Sequence, residues 1–296
     1  MTRLLCIGEC MLELSPDPEP GVFRTGFAGD TFNTAWYARK LAGPEVTVAY
    51  LTAIGTDDIS AKLEAFVKAA GIVPEFLHRP DRAIGLYMIN LDKGERSFSY
   101  WRDNSAARSL ADDLEDLPGL QPGDIAFFSG ITLAILPASG RARLFAALAR
   151  ARARGVCIAF DPNLRPRLWR DDAEMCDLVM QGAGLADIAL PSFDDEARFF
   201  SDADPAACAA RYHGAGAATV VVKDGAKPVL VHTNDTRLSV APAPVAQIVD
   251  STAAGDAFNA GFLVGLKAGL SPEQAARRAC DVAGRVITQR GALVAP

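Results

Sequence analysis

Short apolar runs alternate along this chain with longer segments of helical periodicity. Leu4–Gly8, Val46–Ile54, Ile125–Phe128, Val156–Phe160, Ile188–Leu190 and Thr219–Lys223 are rich in β-branched or aromatic residues and lack polar alternation, the pattern of strands buried on both faces. Between them, Phe32–Leu41, Ile59–Ala70, Pro137–Arg154, Ala206–Tyr212, Phe258–Ala268 and Glu273–Gln289 repeat apolar residues at helical spacing. This alternation predicts an α/β fold with a mostly parallel central sheet and helices on both faces. Such sheets hold their ligands beyond the carboxyl ends of the strands, which is where candidate chemistry belongs. Two stretches break the pattern. Residues 11–28 are proline-rich with little helix signal, and residues 83–102 alternate in character around Asp92-Lys93-Gly94, as a β-hairpin does. Together they predict a small antiparallel β lid. It would project from a core made of residues 1–10, 29–82 and 103–296, as a cover, a dimer surface, or both.

Composition narrows the class. The chain has 296 residues, 50% hydrophobic and 22% charged, which excludes a disordered chain, a collagen-like repeat and a small disulfide scaffold. The net charge of −6 gives a surface that repels phosphate backbones, so no nucleic-acid partner is expected. No run approaches the roughly 18 apolar residues of a membrane span, so no membrane partner is expected either. Glu9 and Glu13 interrupt Leu4–Leu14, which has no cleavage-site pattern and is not read as a signal peptide. The six cysteines sit in apolar contexts without a CxxC, the usage of reduced thiols in a cytoplasmic protein. His78, His213 and His232 show no ligand spacing.

The run Asp250-Ser251-Thr252-Ala253-Ala254-Gly255-Asp256-Ala257-Phe258 carries the strongest chemical signal. Small residues lead straight into a helix, whose unpaired N–H groups and dipole bind anions. A carboxylate inside such a site invites a reason, and Asp256 is positioned by sequence to accept a proton from a hydroxyl attacking phosphorus. An ordinary N-cap needs the same residue types, and the local sequence alone does not separate the two readings.

DSTAAGDAF closely resembles the C-terminal signature of the ribokinase-like (PfkB) family of carbohydrate kinases. Gly29-Asp30-Thr31-Phe32-Asn33-Thr34-Ala35 resembles that family's N-terminal signature, and the similarity runs from the first strand to Gly291-Ala292. Within the family, Gly8-Glu9 with Met11, Gly85-Leu86-Tyr87, Gly94-Glu95-Arg96, Ser99-Tyr100-Trp101-Arg102, Ser105-Ala106-Ala107, Ser129-Gly130-Ile131 and Asp161-Pro162-Asn163-Leu164-Arg165 look most like the kinases of the sugar acid 2-keto-3-deoxygluconate. The resemblance implies a ribokinase-like fold and ATP-dependent phosphorylation of a terminal hydroxyl, with Asp256 as general base. It implies a substrate pocket from Gly29, Asp30, Asn33, Tyr87, Tyr100, Arg102, Arg165, Asp250 and Asp256. The backbone of Ala253, Ala254 and Gly255 would stabilise the transferring oxygens. It also implies a homo-oligomer, a dimer or higher, through the lid.

The residue chemistry agrees with a sugar acid. Arg102 and Arg165 offer the planar bidentate partner that a carboxylate takes, and Tyr87 and Tyr100 can stack on a small polar ligand. Arg102 also reads as an exposed hairpin residue paired with Asp103, and Arg165 as a solvated residue after a turn. Lys223-Asp224-Gly225-Ala226-Lys227 resembles the family's loop beside the triphosphate, with Asn163, Ser192, Lys223, Gly225, Ala253 and Gly255 expected at the nucleotide. Many members carry Asn-x-x-Glu where this chain has Ser192 and Asp195, so Asp195 or Glu196 is expected to organise Mg²⁺ through water. Ala253 stands where many members have glycine and is expected to keep a negative φ. The chain contains neither GxxxxGK[ST], GxGxxG nor GxSxG, which argues against P-loop, dinucleotide and serine-nucleophile chemistry. A kinase of the same family for fructose, ribose or another sugar, and a non-catalytic sugar-acid sensor, are the competing readings.

Overall fold

The computed structural model describes residues 2–19, 21–92 and 95–296. The elements in chain order are β1 (Thr2–Ile7), β2 (Met11–Pro16), β3 (Phe23–Ala28), α1 (Asp30–Leu41), β4 (Val46–Ile54), α2 (Asp58–Ala69), β5 (Val73–His78), β6 (Leu86–Asp92), β7 (Glu95–Trp101), β8 (Ile125–Ser129) and α3 (Gly130–Ile135). There follow α4 (Ala138–Ala153), β9 (Cys157–Asp161), α5 (Asp172–Leu185), β10 (Ile188–Ala189), α6 (Phe193–Phe200), α7 (Pro205–Ala215), β11 (Thr219–Val222), β12 (Val229–Thr233), β13 (Arg237–Val240), α8 (Ala254–Lys267) and α9 (Pro272–Val286).

The large sheet has nine strands in the order β13-β12-β11-β10-β9-β8-β1-β4-β5. Every pairing from β11 to β5 is parallel, and β12 and β13 close one edge antiparallel. Successive residues of each buried strand face opposite layers. Leu5, Ile7, Phe128 and Phe160 pack towards α4, α5 and α7. Leu4, Cys6, Phe127 and Ala159 pack towards α1, α2, α8 and α9. The chain runs outward from β1 to β4 and β5, then returns to β1's other side as β8. The order of the sheet therefore reverses between β1 and β8, and the carboxyl ends at such a reversal are where an open parallel sheet places its ligand crevice.

All six expected strands and six expected helices form, with ends shifted by a few residues. The largest shift matters chemically. Helix α8 starts at Ala254 rather than at Phe258, which puts Asp256 inside its first turn. The sequence reading missed β5, β12, β13, α3, α5 and α6. Strand β5 (VPEFLH) lies at the sheet's edge, half-exposed, and breaks the fully apolar pattern. Helix α5 contains Gly182 and Gly184 and is fixed by the Asp171 side chain capping the Glu174 N–H.

The small sheet has the order β3-β2-β6-β7. Its two hairpins are antiparallel, and a parallel β2–β6 pairing joins them. The turn residues Lys93 and Gly94 lie outside the described residues. Met11, Ala28, Tyr87 and Ile89 form the sheet's inner apolar face, which packs on Ala292 and Ala253. That contact sets the sheet over the start of α8. Among the described residues, no helix is long and apolar enough to cross a membrane.

Candidate active site

The chain's first tight passage after β1 shapes the crevice floor. A Cβ on Gly29 would lie 2.1 Å from the Glu9 carbonyl oxygen, so only glycine lets α1 begin against the Glu9–Cys10 backbone. Helix α1 then presents Asp30 and Asn33 to the crevice. Asn33 donates from Nδ2 to Asp256 Oδ2 at 2.8 Å, and Thr34 Oγ1 donates to the Asp256 carbonyl at 3.3 Å. Asn163 donates from Nδ2 to Asp30 Oδ2 at 2.8 Å. The expected sugar-side residues Gly29, Asp30 and Asn33 thus meet the expected base across 223 residues of chain. Asn163, expected at the nucleotide, braces Asp30.

The amino end of α8 is built for anions. Ala253, its N-cap, lies in the left-handed region at φ 59°, and its side chain makes no cap bond. The expectation of a negative φ there is wrong. The methyl group is carried at a cost of about 1–2 kcal/mol relative to a right-handed residue. Ala254 donates its N–H to Ser251 O at 3.2 Å, which takes that amide out of the expected trio. The amides of Gly255 and Asp256 follow at the positive end of the helix. A Cβ on Gly255 would lie 3.8 Å from Lys223 Nζ, so the ammonium stands directly beside this turn.

Lys223 lies just beyond β11 and is buried. It donates to Asp161 Oδ2 at 2.9 Å and to Asn259 Oδ1 at 3.2 Å, while Asn259 donates to Asp161 Oδ2 at 2.6 Å. Asn259 follows Asp256 by three positions on α8, so one helix face carries both. Sequence reading missed Asn259 and gave Asp161 no role. The signal was present: an asparagine in an otherwise small and apolar helix has to find polar partners when buried.

Asp256 sits among these groups. Burial, with repulsion from Asp30 and then Asp161, pushes its carboxyl up to about 8 against the opposing pull of Asn33 and Lys223. A carboxyl group that titrates near neutrality is well matched to proton abstraction. Such perturbed groups in clefts mark functional sites.

Other residues fall into place less simply. Asp250 accepts from the N–H and Oγ1 of Thr252 and from the Gly291 N–H, which braces the loop before α8 against the C-terminal segment. The Tyr87 hydroxyl donates to Glu13, so its ring is what it offers the crevice. The Tyr100 ring lies 5.9 Å from that of Tyr87 and is half-exposed. Arg102 is no exposed hairpin residue paired with Asp103, nor a free guanidinium. It is buried and paired with Glu9. Arg165 is half-exposed at the end of β9, with Nη1 3.8 Å from Asp195. Ser192 bridges backbone to backbone with Lys223 at the start of α6. Gly225 holds φ +56° in the exposed turn after Lys223, a conformation glycine supplies at no steric cost.

Asp195 and Glu196 part company. Burial raises the Asp195 carboxyl, opposed by Arg165 and reinforced by Asp161, so it belongs to the crevice. Glu196 points the other way, fully buried between α6 and α7, where Arg211 Nη2 (2.8 Å) and the Tyr212 hydroxyl (3.0 Å) donate to it. It therefore stands apart from Asp195, clustered with Asp202 and Cys208. Asp161 is near enough to raise the Asp195 carboxyl further, while its own oxygens accept from Lys223, Asn259 and the Asn163 N–H.

A proton acceptor, an anion-binding helix end and a buried ammonium at the reversal point of a parallel sheet, beside a small four-stranded sheet, define a site for phosphoryl transfer to a small hydroxylated molecule. The model of the pfkB family carbohydrate kinases matches residues 1–295. The chain is 37% identical to the 2-dehydro-3-deoxygluconokinase of Haemophilus influenzae, covering 99% of this chain and 96% of that one. It is 39% identical to the enzyme of the same name from Dickeya dadantii, with 99% and 96% covered. A crystal structure of fructokinase from Vibrio cholerae O395, with fructose, ADP and calcium bound, superposes with a TM-score of 0.86 at 27% identity, covering 100% of this chain and 96% of that one. The chain belongs to the pfkB family of carbohydrate kinases.

Proposed function

We propose that the protein is an ATP-dependent kinase of 2-keto-3-deoxygluconate, the compound also called 2-dehydro-3-deoxygluconate, and that it forms the 6-phosphate. Asp256 takes the proton of the substrate's terminal hydroxyl as that oxygen attacks the γ-phosphorus. ADP departs with the electron pair of the broken P–O bond, and Asp256 then releases its proton to water. The amides of Gly255 and Asp256 receive the transferring oxygens. Lys223, held by Asp161 and Asn259, places a cation that need not reorganise during the reaction. Asp195 and Asp161 would hold Mg²⁺ through its hydration shell, and that ion would supply charge neutralisation at the nucleotide phosphates. Arg165 reaches the substrate carboxylate, and Tyr100 with the ring of Tyr87 covers the sugar. Residues 11–28 and 83–102 act as a lid over a core formed by the rest of the chain, shutting water out of the reaction. The six free cysteines and the need for ATP go with action in the cytoplasm.

The observation that carries the reading is the Asn33–Asp256 bond, which joins the sugar-side signature to a carboxyl held near pH 8 at an anion-binding turn. The full-length relatives at 37% and 39% identity favour the sugar acid over a neutral sugar. The test is ADP release over a panel of sugars and sugar acids, with and without Mg²⁺. The keto-deoxy acid should give the highest kcat/KM, at least about tenfold above fructose and ribose. A higher kcat/KM for fructose sinks the substrate assignment, and no turnover of any sugar leaves the sensor reading in possession.

A further inference from the structure

All four strands of the small sheet attach to the core around one residue. Glu9 follows β1 and lies two residues before β2. Its carbonyl oxygen is the atom that forbids a side chain on Gly29, where β3 passes into α1. Its carboxylate lies where a Cβ on Gly85 would come within 2.9 Å of Oε1, at the entry to β6. It accepts from Arg102, the residue after β7, and from the Ser105 hydroxyl beyond it. Glu9, Arg102 and Ser105 are 2%, 8% and 3% exposed, so water barely reaches this junction. Backbone bonds knit the same place: Leu12 N–H to Gly85 O, Ala106 N–H to Ala83 O and Ser105 N–H to Arg102 O.

A buried ion pair is a poor way to gain stability, because desolvation offsets most of its attraction and an apolar pair of equal volume does as well. This one is costlier than most, since Arg102 Nε is buried without a partner among the described residues. What this cluster supplies is a fixed geometry: Arg102 Nη2 donates to one oxygen of the Glu9 carboxylate and the Ser105 hydroxyl to the other, so the carboxylate is held from two sides. Fixed geometry is what a lid hinge needs. Tyr100, whose ring lies 5.9 Å from the Arg102 guanidinium, sits two residues before it on β7, so the angle of Arg102 sets the approach of the aromatic cover.

We propose that Glu9 is a positioning residue, the pin that fixes the lid's angle over the crevice by clamping Arg102 and Ser105 at its four attachment points. The proposal rests on the reading of the crevice as a sugar-acid kinase site for its kinetic half, and on geometry alone for its structural half. Glu9 touches no reacting atom. Its carboxylate acts by holding the strands that carry Tyr87 and Tyr100 at one inclination.

Glu9→Gln in the full chain keeps the shape and removes the charge. Hydrogen exchange of the sugar-free protein should quicken about tenfold in the backbone of β6 and β7 while β8 and β9 keep wild-type protection. The KM for the sugar acid should rise about tenfold with a smaller fall in kcat, and ATP hydrolysis without sugar should increase. Ser105→Ala, which removes one donor and leaves the ion pair, should move every readout the same way by less. It also carries the test if the first variant does not fold. Wild-type lid exchange and KM in a folded Glu9→Gln protein would overturn the proposal, as would exchange that rises evenly over the whole chain. Because the exchange measurement needs no substrate, a wild-type protein inactive on every sugar acid would refute the functional reading and leave the pin standing.

Discussion

Asp256 is the residue on which chemistry and stability pull against each other. Its carboxyl titrates at about 8 in the folded chain, against the ordinary value of 3.8, because burial and the charge of Asp30 disfavour the anion. Between those two pH values the folded chain holds a proton that the unfolded chain has lost. The unfolded state therefore binds fewer protons, so stability falls as pH rises from about 4 to about 8 and then levels off. Asp256→Asn removes this penalty. Thermal melts should show the variant gaining on wild type across that interval, by at least about 2 °C at pH 8. Its kcat should fall about 10²- to 10⁴-fold with ligand binding largely kept. In wild type, kcat/KM should climb with pH through an apparent value near 8, where the free enzyme's base ionises, and the residual activity of the variant should lose that limb. A variant with unchanged turnover, or a wild-type profile flat from pH 6 to 9, would take the base role away from this residue.

Helix α8 delivers Asp256 and Asn259 to the crevice, and its partner α9 fixes where it lies. The contact between them works by absence of side chains. A Cβ on Gly261 would come within 2.9 Å of Ala279 Cα, and one on Gly265 within 3.0 Å of Ala275 Cβ. Gly261→Ala should therefore push the helices apart and cost about 1–3 kcal/mol despite alanine's better helix propensity, read as a lower denaturation midpoint. Equal or higher stability would mean that the pair has slack. Helical periodicity made this helix readable in the sequence, as unbroken apolar runs did the six buried strands. Elements whose signals compete were not readable. Edge strand β5 mixes polar with apolar residues. Helix α6 is only eight residues long, too short for its period to reveal that Asp195 and Glu196 face opposite ways. The site divides similarly. The two signatures, at Gly29–Asn33 and Asp250–Asp256, were legible because local backbone demands shape them. The Glu9–Arg102 pair and the Asp161–Lys223–Asn259 cluster join residues 36 to 98 positions apart, and no local pattern announces a partner at that distance.

At the scale of the whole molecule, the small sheet leaves apolar surface uncovered. Phe98 and Tyr100 share the face of Tyr87, and they are 39% and 50% exposed where Tyr87 is 8% exposed. Only part of that face is closed by Ala253 and Ala292. The sheet's outer strands β3 and β7 have one free edge each, and Phe23 on the first is also exposed. A four-stranded ribbon with open edges and an aromatic face seldom stays bare in water. A second copy of the same sheet is the partner that buries matching apolar faces by two-fold symmetry. The expected protein in solution is therefore a homodimer, or a larger assembly built on that dimer, joined through the lids. Phe98 separates this association from the sugar site, because it pairs with Ile89 on β6, two residues further from the Arg102 hinge than Tyr100. Phe98→Asp should convert the assembly to monomers in light scattering at about 10 µM protein, since a charge cannot be buried unpaired in an apolar interface. The lid pin at Glu9 stays intact in that variant, so ADP release should persist with a raised KM for the sugar. A wild-type protein that is already monomeric at that concentration, with Phe98→Asp indistinguishable from it, would show that these aromatics serve only the crevice beneath them.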